Sequence, residues 1–156
     1  MSKKGVSDYF SHILALAITI VILSLVMSTF HDYYVDVAER SQQSEAMAVN
    51  REVGDAILNL YSTYRYRDFD SEENETLGEK TVDLPRKIAG QGYNVRLNST
   101  GQIVVETTGF PKRTYIRSLY GIDIRLEGKL EEPGTSTVEY VSGGTEDLVK
   151  LRTPEP

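Results

Sequence analysis

From Tyr9 through Phe30 the chain carries no Asp, Glu, Lys or Arg, and Ile13 to Met27 (ILALAITIVILSLVM) is interrupted only by the hydroxyls of Thr19 and Ser24. A helix rises about 1.5 Å per residue, so this stretch of about 22 residues reaches roughly 33 Å, enough for a hydrocarbon layer about 30 Å thick. Thr19, Ser24 and Ser28 fit such a helix, because their hydroxyls can bond back to their own turn or across to a neighbouring helix. The competing reading is the core helix of a soluble protein. It fails on supply: only 40% of the 156 residues are hydrophobic and much of that content lies in this one block, which leaves too little apolar surface to wrap it.

Charge sets the expected orientation. Lys3 and Lys4 precede the span, while Asp32, Asp36 and Glu39 follow it before the first basic residue, Arg40. The positive-inside bias then keeps the N-terminus cytoplasmic and sends the C-terminal part out. A secretory signal peptide has a shorter apolar region of about 7–15 residues ending in a small-x-small site. His31-Asp32-Tyr33-Tyr34 supplies no such site.

Cysteine is absent, which removes disulfides, thiolate metal sites and cysteine nucleophiles. Two sequons, Asn74-Glu75-Thr76 and Asn98-Ser99-Thr100, fall in stretches that read as loop or turn, making Asn74 and Asn98 candidate N-glycosylation positions on an exported domain.

Beyond the span, Val49, Val53, Ala56, Ile57, Leu60, Tyr61 and Tyr64 recur at steps of three and four, the pattern of a helix with one apolar face. Tyr34, Ala38 and Ser41 extend the stripe more weakly, and no proline occurs before Pro85. One long helix from about Ser7 to about Tyr66 is the simplest reading. Gly54, which costs about 1 kcal/mol in a helix interior, marks a bend or a close contact with the sheet.

Arg65 to Lys80 (RYRDFDSEENETLGEK) is charged and lacks an apolar period, so it reads as an exposed connection. Asp68, Asp70, Glu72 and Glu73 offer oxygens to a cation, but the spacing and the missing turn glycine exclude an EF-hand loop. From Thr81 the period becomes two. Tyr93, Val95 and Leu97 run out to Asn98-Ser99-Thr100-Gly101, and Ile103, Val104 and Val105 return, a hairpin signal. Val82–Leu84, Tyr115–Leu119, Ile122–Leu126, Val138–Val141 and Leu148–Leu151 supply further short strands. The pattern predicts about five or six strands in a small antiparallel sheet, one face packed on the helix, with an α+β fold.

Chemistry is sparse. His12 and His31 stand at opposite ends of the span, and no Gly-x-Ser-x-Gly elbow, phosphate loop, dinucleotide glycine pattern or metalloprotease helix is present. Glu131-Glu132 beside Pro133-Gly134 reads as a solvated turn, and a net charge of −6 offers nothing to nucleic acid. The expectation is therefore no enzyme, no catalytic or metal site and no cofactor. Among the tyrosines, Tyr9, Tyr33 and Tyr34 suit membrane boundaries and Tyr61, Tyr64, Tyr93 and Tyr115 suit the helix–sheet core.

The order basic leader, glycine, uncharged helix, long amphipathic helix and small C-terminal sheet resembles type IV pilins and pilin-like subunits, in particular the archaeal branch. Lys4-Gly5-Val6-Ser7 is similar to a class III signal peptide, and Leu14-Ala15-Leu16-Ala17-Ile18-Thr19-Ile20 to the start of many haloarchaeal and euryarchaeal pilin-like proteins. Asp83-Leu84-Pro85-Arg86-Lys87-Ile88-Ala89-Gly90 with Tyr93 looks like an element that recurs in one such group. The resemblance implies a prepilin peptidase cutting between Gly5 and Val6, with Lys3 and Lys4 as leader charges. It further implies other pilin subunits, of the same or a different kind, as partners. Bacterial pilins place a glutamate at the fifth mature position, where this chain has Phe10; Asp8, at the third, is the nearest carboxylate.

The expected organisation is a leader at 1–5, a transmembrane helix at 6–30, an amphipathic helix at 31–66, an acidic loop at 67–80, an antiparallel β domain at 81–152 and an unstructured tail at 153–156. The expected function is a membrane-anchored pilin-like subunit assembled into a surface filament through its first helix. The alternative is an unprocessed single-pass anchor carrying an extracellular binding or accessory domain.

Overall fold

The computed structural model describes residues 3–65, 75–109, 111–131, 133–143 and 147–153, with side chains from Tyr9 onward. It has one helix, α1 (Lys3–Tyr64), followed by seven strands. The expected α+β architecture is present. The chain divides into two compact units, residues 1–40 and 41–156.

In the first unit the whole described segment is helix. Helix starts at Lys3, earlier than the expected Ser7. Tyr34 and Ala38, read as extensions of the buried stripe, are exposed instead. An exposed Arg40–Asp36 ion pair at 2.9 Å, one turn apart, closes this unit.

In the second unit the C-terminal part of α1 lies on a seven-stranded sheet. The strands are β1 (Thr76–Asp83), β2 (Tyr93–Asn98), β3 (Gln102–Thr107), β4 (Thr114–Ser118), β5 (Arg125–Leu130), β6 (Thr135–Val141) and β7 (Leu148–Arg152), in the spatial order β1-β6-β7-β5-β2-β3-β4. All neighbours pair antiparallel except β5 and β7, which are parallel. On the helix, Ala46, Val49, Val53, Ala56, Ile57, Leu60 and Tyr61 are buried, as their spacing requires. They meet the inward side chains of the strands, among them Val82, Tyr93, Val95, Leu97, Ile103, Val105, Leu126, Leu130, Val138, Tyr140, Val149 and Leu151, in one cluster. Burying each large side chain contributes roughly 1.5–3 kcal/mol against chain entropy.

Two expectations are corrected. The segment 67–80 is not all loop, since β1 begins at Thr76 and pairs with β6 through Asp83. This strand forms one edge of the sheet, is exposed along most of its length and carries a register shift between Thr76 and Gly78, so it has little apolar period to read. The strand expected at Ile122–Leu126 instead runs Arg125–Leu130. Its inward positions are Leu126, Gly128 and Leu130, and the glycine between two leucines hides the alternation. Gly128 is required there: its φ is +137°, and a Cβ would meet the backbone of Leu151 in β7, 2.8 Å from the Leu151 nitrogen. Close approach of the two parallel strands depends on it.

The β2–β3 hairpin matches the expected pattern, with Tyr93 opposite Thr107 and Asn98 opposite Gln102. Gly54 resolves to a close contact: Arg117 of β4 fills the space a Cβ would take, its Nη1 being 2.7 Å from that position. Of the expected tail at 153–156, only Thr153 lies within the described residues; α1 closes at Tyr64, and Tyr66, the expected helix end, lies outside them.

Candidate functional site

The dominant surface feature is apolar and belongs to the first unit. Every large hydrophobic side chain from Tyr9 to Phe30 is at least 45% exposed, the least exposed being Val26. The helix is long and apolar enough to cross a membrane. Three of its hydroxyls are satisfied within the helix: Thr19 Oγ1 donates to Ala15 O at 2.8 Å, Ser24 Oγ to Ile20 O at 2.8 Å and Thr29 Oγ1 to Leu25 O at 2.9 Å. Back-bonded hydroxyls of this kind remove the main penalty for placing Ser or Thr in hydrocarbon.

Lys3, Lys4, Gly5 and Val6 stand in the first turns of α1; their side chains, and that of Asp8, lie outside the described set. Asn74 also lies outside it, as do Asp68, Asp70, Glu72 and Glu73. His12 and His31 are both exposed on one helix, separated by about 28 Å of rise, and do not meet. Among the described residues no group of three or more His, Asp or Glu could hold a metal ion.

In the second unit the helix–sheet seam contains polar side chains that the apolar pattern did not reveal. Gln42 and Asn50 are buried on the same stripe as Ala46, Val49 and Val53. Gln42 Nε2 donates to Gln91 Oε1 at 3.1 Å, and the Glu45 carboxylate accepts the Ala89 N–H at 2.7 Å. These contacts hold the turn at Ile88–Gln91, where Ala89 has φ +46° and Gly90 φ +77° while Ile88 is fully buried. Tyr93 Oη donates to Pro85 O from the far side of the same segment. The Asp83-to-Gly90 segment with Tyr93 thus ends in a docked turn. Gln42 and Glu45 were legible only as the polar members of a stripe whose apolar members begin at Ala46.

Arg117 crosses the seam. Its Nη1 donates to Asn50 O and Arg51 O, each at 3.1 Å, and its Nη2 reaches Asp55 Oδ1 at 3.2 Å. Asn50 Nδ2 in turn donates to Tyr115 O at 3.5 Å. Burial pushes the Tyr93 and Tyr140 phenols above their ordinary value, Tyr140 being raised further by its 2.7 Å hydrogen bond to Asp147.

The sheet surface opposite the core is largely polar, apart from Val104 and the exposed Ile116 opposite it. Lys112 pairs with Glu106 at 2.8 Å and Lys129 with Glu131 at 2.6 Å, each lysine hydrogen bond holding its carboxyl below the usual range. At one end of the domain a broad open groove of about 1100 Å³ is lined by hydroxyls of Ser99 and Thr100, carboxylates of Asp123 and Asp147, and guanidiniums of Arg65 and Arg125. Arg65 stacks over the Tyr61 ring at 5.1 Å. This arrangement can receive polar groups through hydrogen bonds of either sense.

The fold is thus one membrane-length apolar helix that continues onto a seven-stranded sheet. Residues 1–152 match a family of unknown function, DUF7266, and the chain belongs to that family. No curated protein and no solved structure matches it.

Proposed function

We propose that this protein is a pilin-like structural subunit, anchored in a membrane by the first part of α1 and assembled through that helix into a surface filament. The observation that carries the reading is the bare apolar surface from Tyr9 to Phe30, which nothing in its own unit covers. Such a surface needs lipid or sister helices around it. Lipid tails and neighbouring helices are similarly apolar, so exchange of one for the other costs little, and the small side chains of Ala15, Ala17, Ser24 and Ser28 permit close helix contact. The leader Lys3-Lys4-Gly5 supports processing by a prepilin peptidase before Val6. The lysines also support a cytoplasmic N-terminus and an extracellular sheet domain. In this reading the protein is not an enzyme, uses no cofactor and binds no nucleic acid. Its partners are the membrane, the peptidase and other pilin subunits.

The second reading, an unprocessed anchor bearing an extracellular binding or accessory domain, draws on the polar groove beside Arg65 and Arg125. Mass spectrometry of the membrane-extracted N-terminus separates the two. An N-terminal Val6, lost when the peptidase is deleted or when Gly5 is replaced by a bulky residue, is expected for a pilin-like subunit. A retained Met1 or Ser2 end would sink that reading and leave the anchored domain.

A further inference from the structure

We propose that Asn98 is an N-glycosylation site, its side-chain amide accepting an oligosaccharide from a lipid-linked donor. The proposal rests on the extracellular placement of the sheet domain, and the experiment below separates the two. Asn98 ends β2 and opens the tight turn to β3, in which Gly101 N–H donates to Asn98 O at 3.0 Å. Strand alternation fixes the direction of its side chain. Tyr93, Val95 and Leu97 are buried in the core, so Asn94, Arg96 and Asn98 point to the opposite, polar face. A glycan there leaves every core contact in place.

Local hydrogen bonding suits the chemistry as well. Asn98 Oδ1 accepts from Thr100 N–H at 3.5 Å and from Ser99 Oγ at 3.4 Å, a turn formed by the sequon on itself. Nδ2 donates no hydrogen bond among the described residues. Ser99 and Thr100 are exposed, so the hydroxyl position of the sequon is open to a transferase. Beside Asn98 the surface forms a polar depression lined by Arg96, Arg125 and Glu127, in which the hydroxyls of the first sugar find both donors and acceptors. In the reaction the Nδ2–C1 bond forms, the bond from C1 to the donor's phosphate oxygen breaks, and the amide proton passes to a base of the transferase. The lipid phosphate leaves, and no oxidation or reduction is involved.

An asparagine at this place could serve the turn alone, and a set of substitutions tells the roles apart. The full chain is isolated from its native membranes and the tryptic peptide from Leu97 to Lys112 is weighed. A saccharide mass on that peptide is expected in the wild type and in Thr100→Ser, and is expected to vanish in Thr100→Ala and in Asn98→Asp. Asn98→Asp keeps the Oδ1 acceptor, so the turn survives and cooperative unfolding is unchanged, which isolates loss of the glycan from loss of the fold. Protease added to intact cells reports on which side the domain stands. An unmodified peptide from a domain that external protease digests overturns the glycosylation proposal and spares the membrane reading. Full protection of the domain, with an unmodified peptide, overturns both.

Discussion

Arg117 and Gly54 form one residue-scale unit, because the guanidinium occupies the volume a helix side chain would otherwise fill. Its bonds to two helix carbonyls and to Asp55 are charge-assisted, and Arg117→Ala is expected to destabilise the domain by about 1–3 kcal/mol in chemical denaturation. Little of that comes from the exposed Asp55 pair. Gly54→Ala displaces the arginine and offsets its own helix-propensity gain in the wild type. In an Arg117→Ala background that obstacle is gone, and the same change should stabilise by about 0.5–1 kcal/mol. Equal effects in both backgrounds would disprove the coupling. Tyr93 and Tyr140 set a second expectation. Both phenols titrate above 10.0 in the fold, so their contribution is complete below that pH and is lost as pH rises through the folded values. Stability should therefore fall on the alkaline side together with phenolate absorbance, and Tyr93→Phe should lessen the fall. At this scale the sequence indicated Tyr61, Tyr64, Tyr93 and Tyr115 as core residues, but not Tyr140, Asn50 or Arg117. Polar groups in a seam have no period, and the partners of Asn50 and Arg117 are far away in sequence, the Arg117–Asn50 pair being separated by 67.

Elements differ in how much of their own pattern they carry. The apolar stretch of α1 is legible because it is apolar all round over a membrane length, and the stripe from Val49 to Tyr61 because one face is buried. The β2–β3 hairpin is legible because both strands alternate. β1 owes its register to its partner β6, and β5 has a glycine where its pattern needs bulk, so neither was placed correctly. At Gly128 an Ala is expected to cost about 1–3 kcal/mol, through the left-handed φ and the Leu151 backbone, and to weaken protection of the β5–β7 amides in hydrogen exchange first. For the apolar part of α1, Leu23→Arg should cost roughly 3–4 kcal/mol of insertion free energy and reduce the carbonate-resistant membrane fraction. Thr19→Ala and Ser24→Ala should leave that fraction unchanged, since both hydroxyls bond only to their own helix.

For the whole molecule, the buried hydrophobic cluster contains, among the described residues, none before Ala46. A chain starting at Ser41 is expected to be water-soluble and to unfold in one cooperative transition, its denaturant midpoint shared by far-UV circular dichroism and tyrosine fluorescence. Loss of cooperativity would mean that the preceding helix stabilises the domain. The order of strands carries a further consequence for biosynthesis. β7, the last of the seven described strands in chain order, lies inside the sheet, joining the β1–β6 pair to the β5-β2-β3-β4 group. Until Leu148–Arg152 leave the ribosome, two sheet fragments each present a raw inner edge, with non-local pairing still to come. Until then the nascent chain holds its sheet as two unjoined halves. Deleting Leu148–Arg152 alone takes away the keystone between the two halves, so these 5 residues weigh more in the yield of folded protein than those of either outer strand.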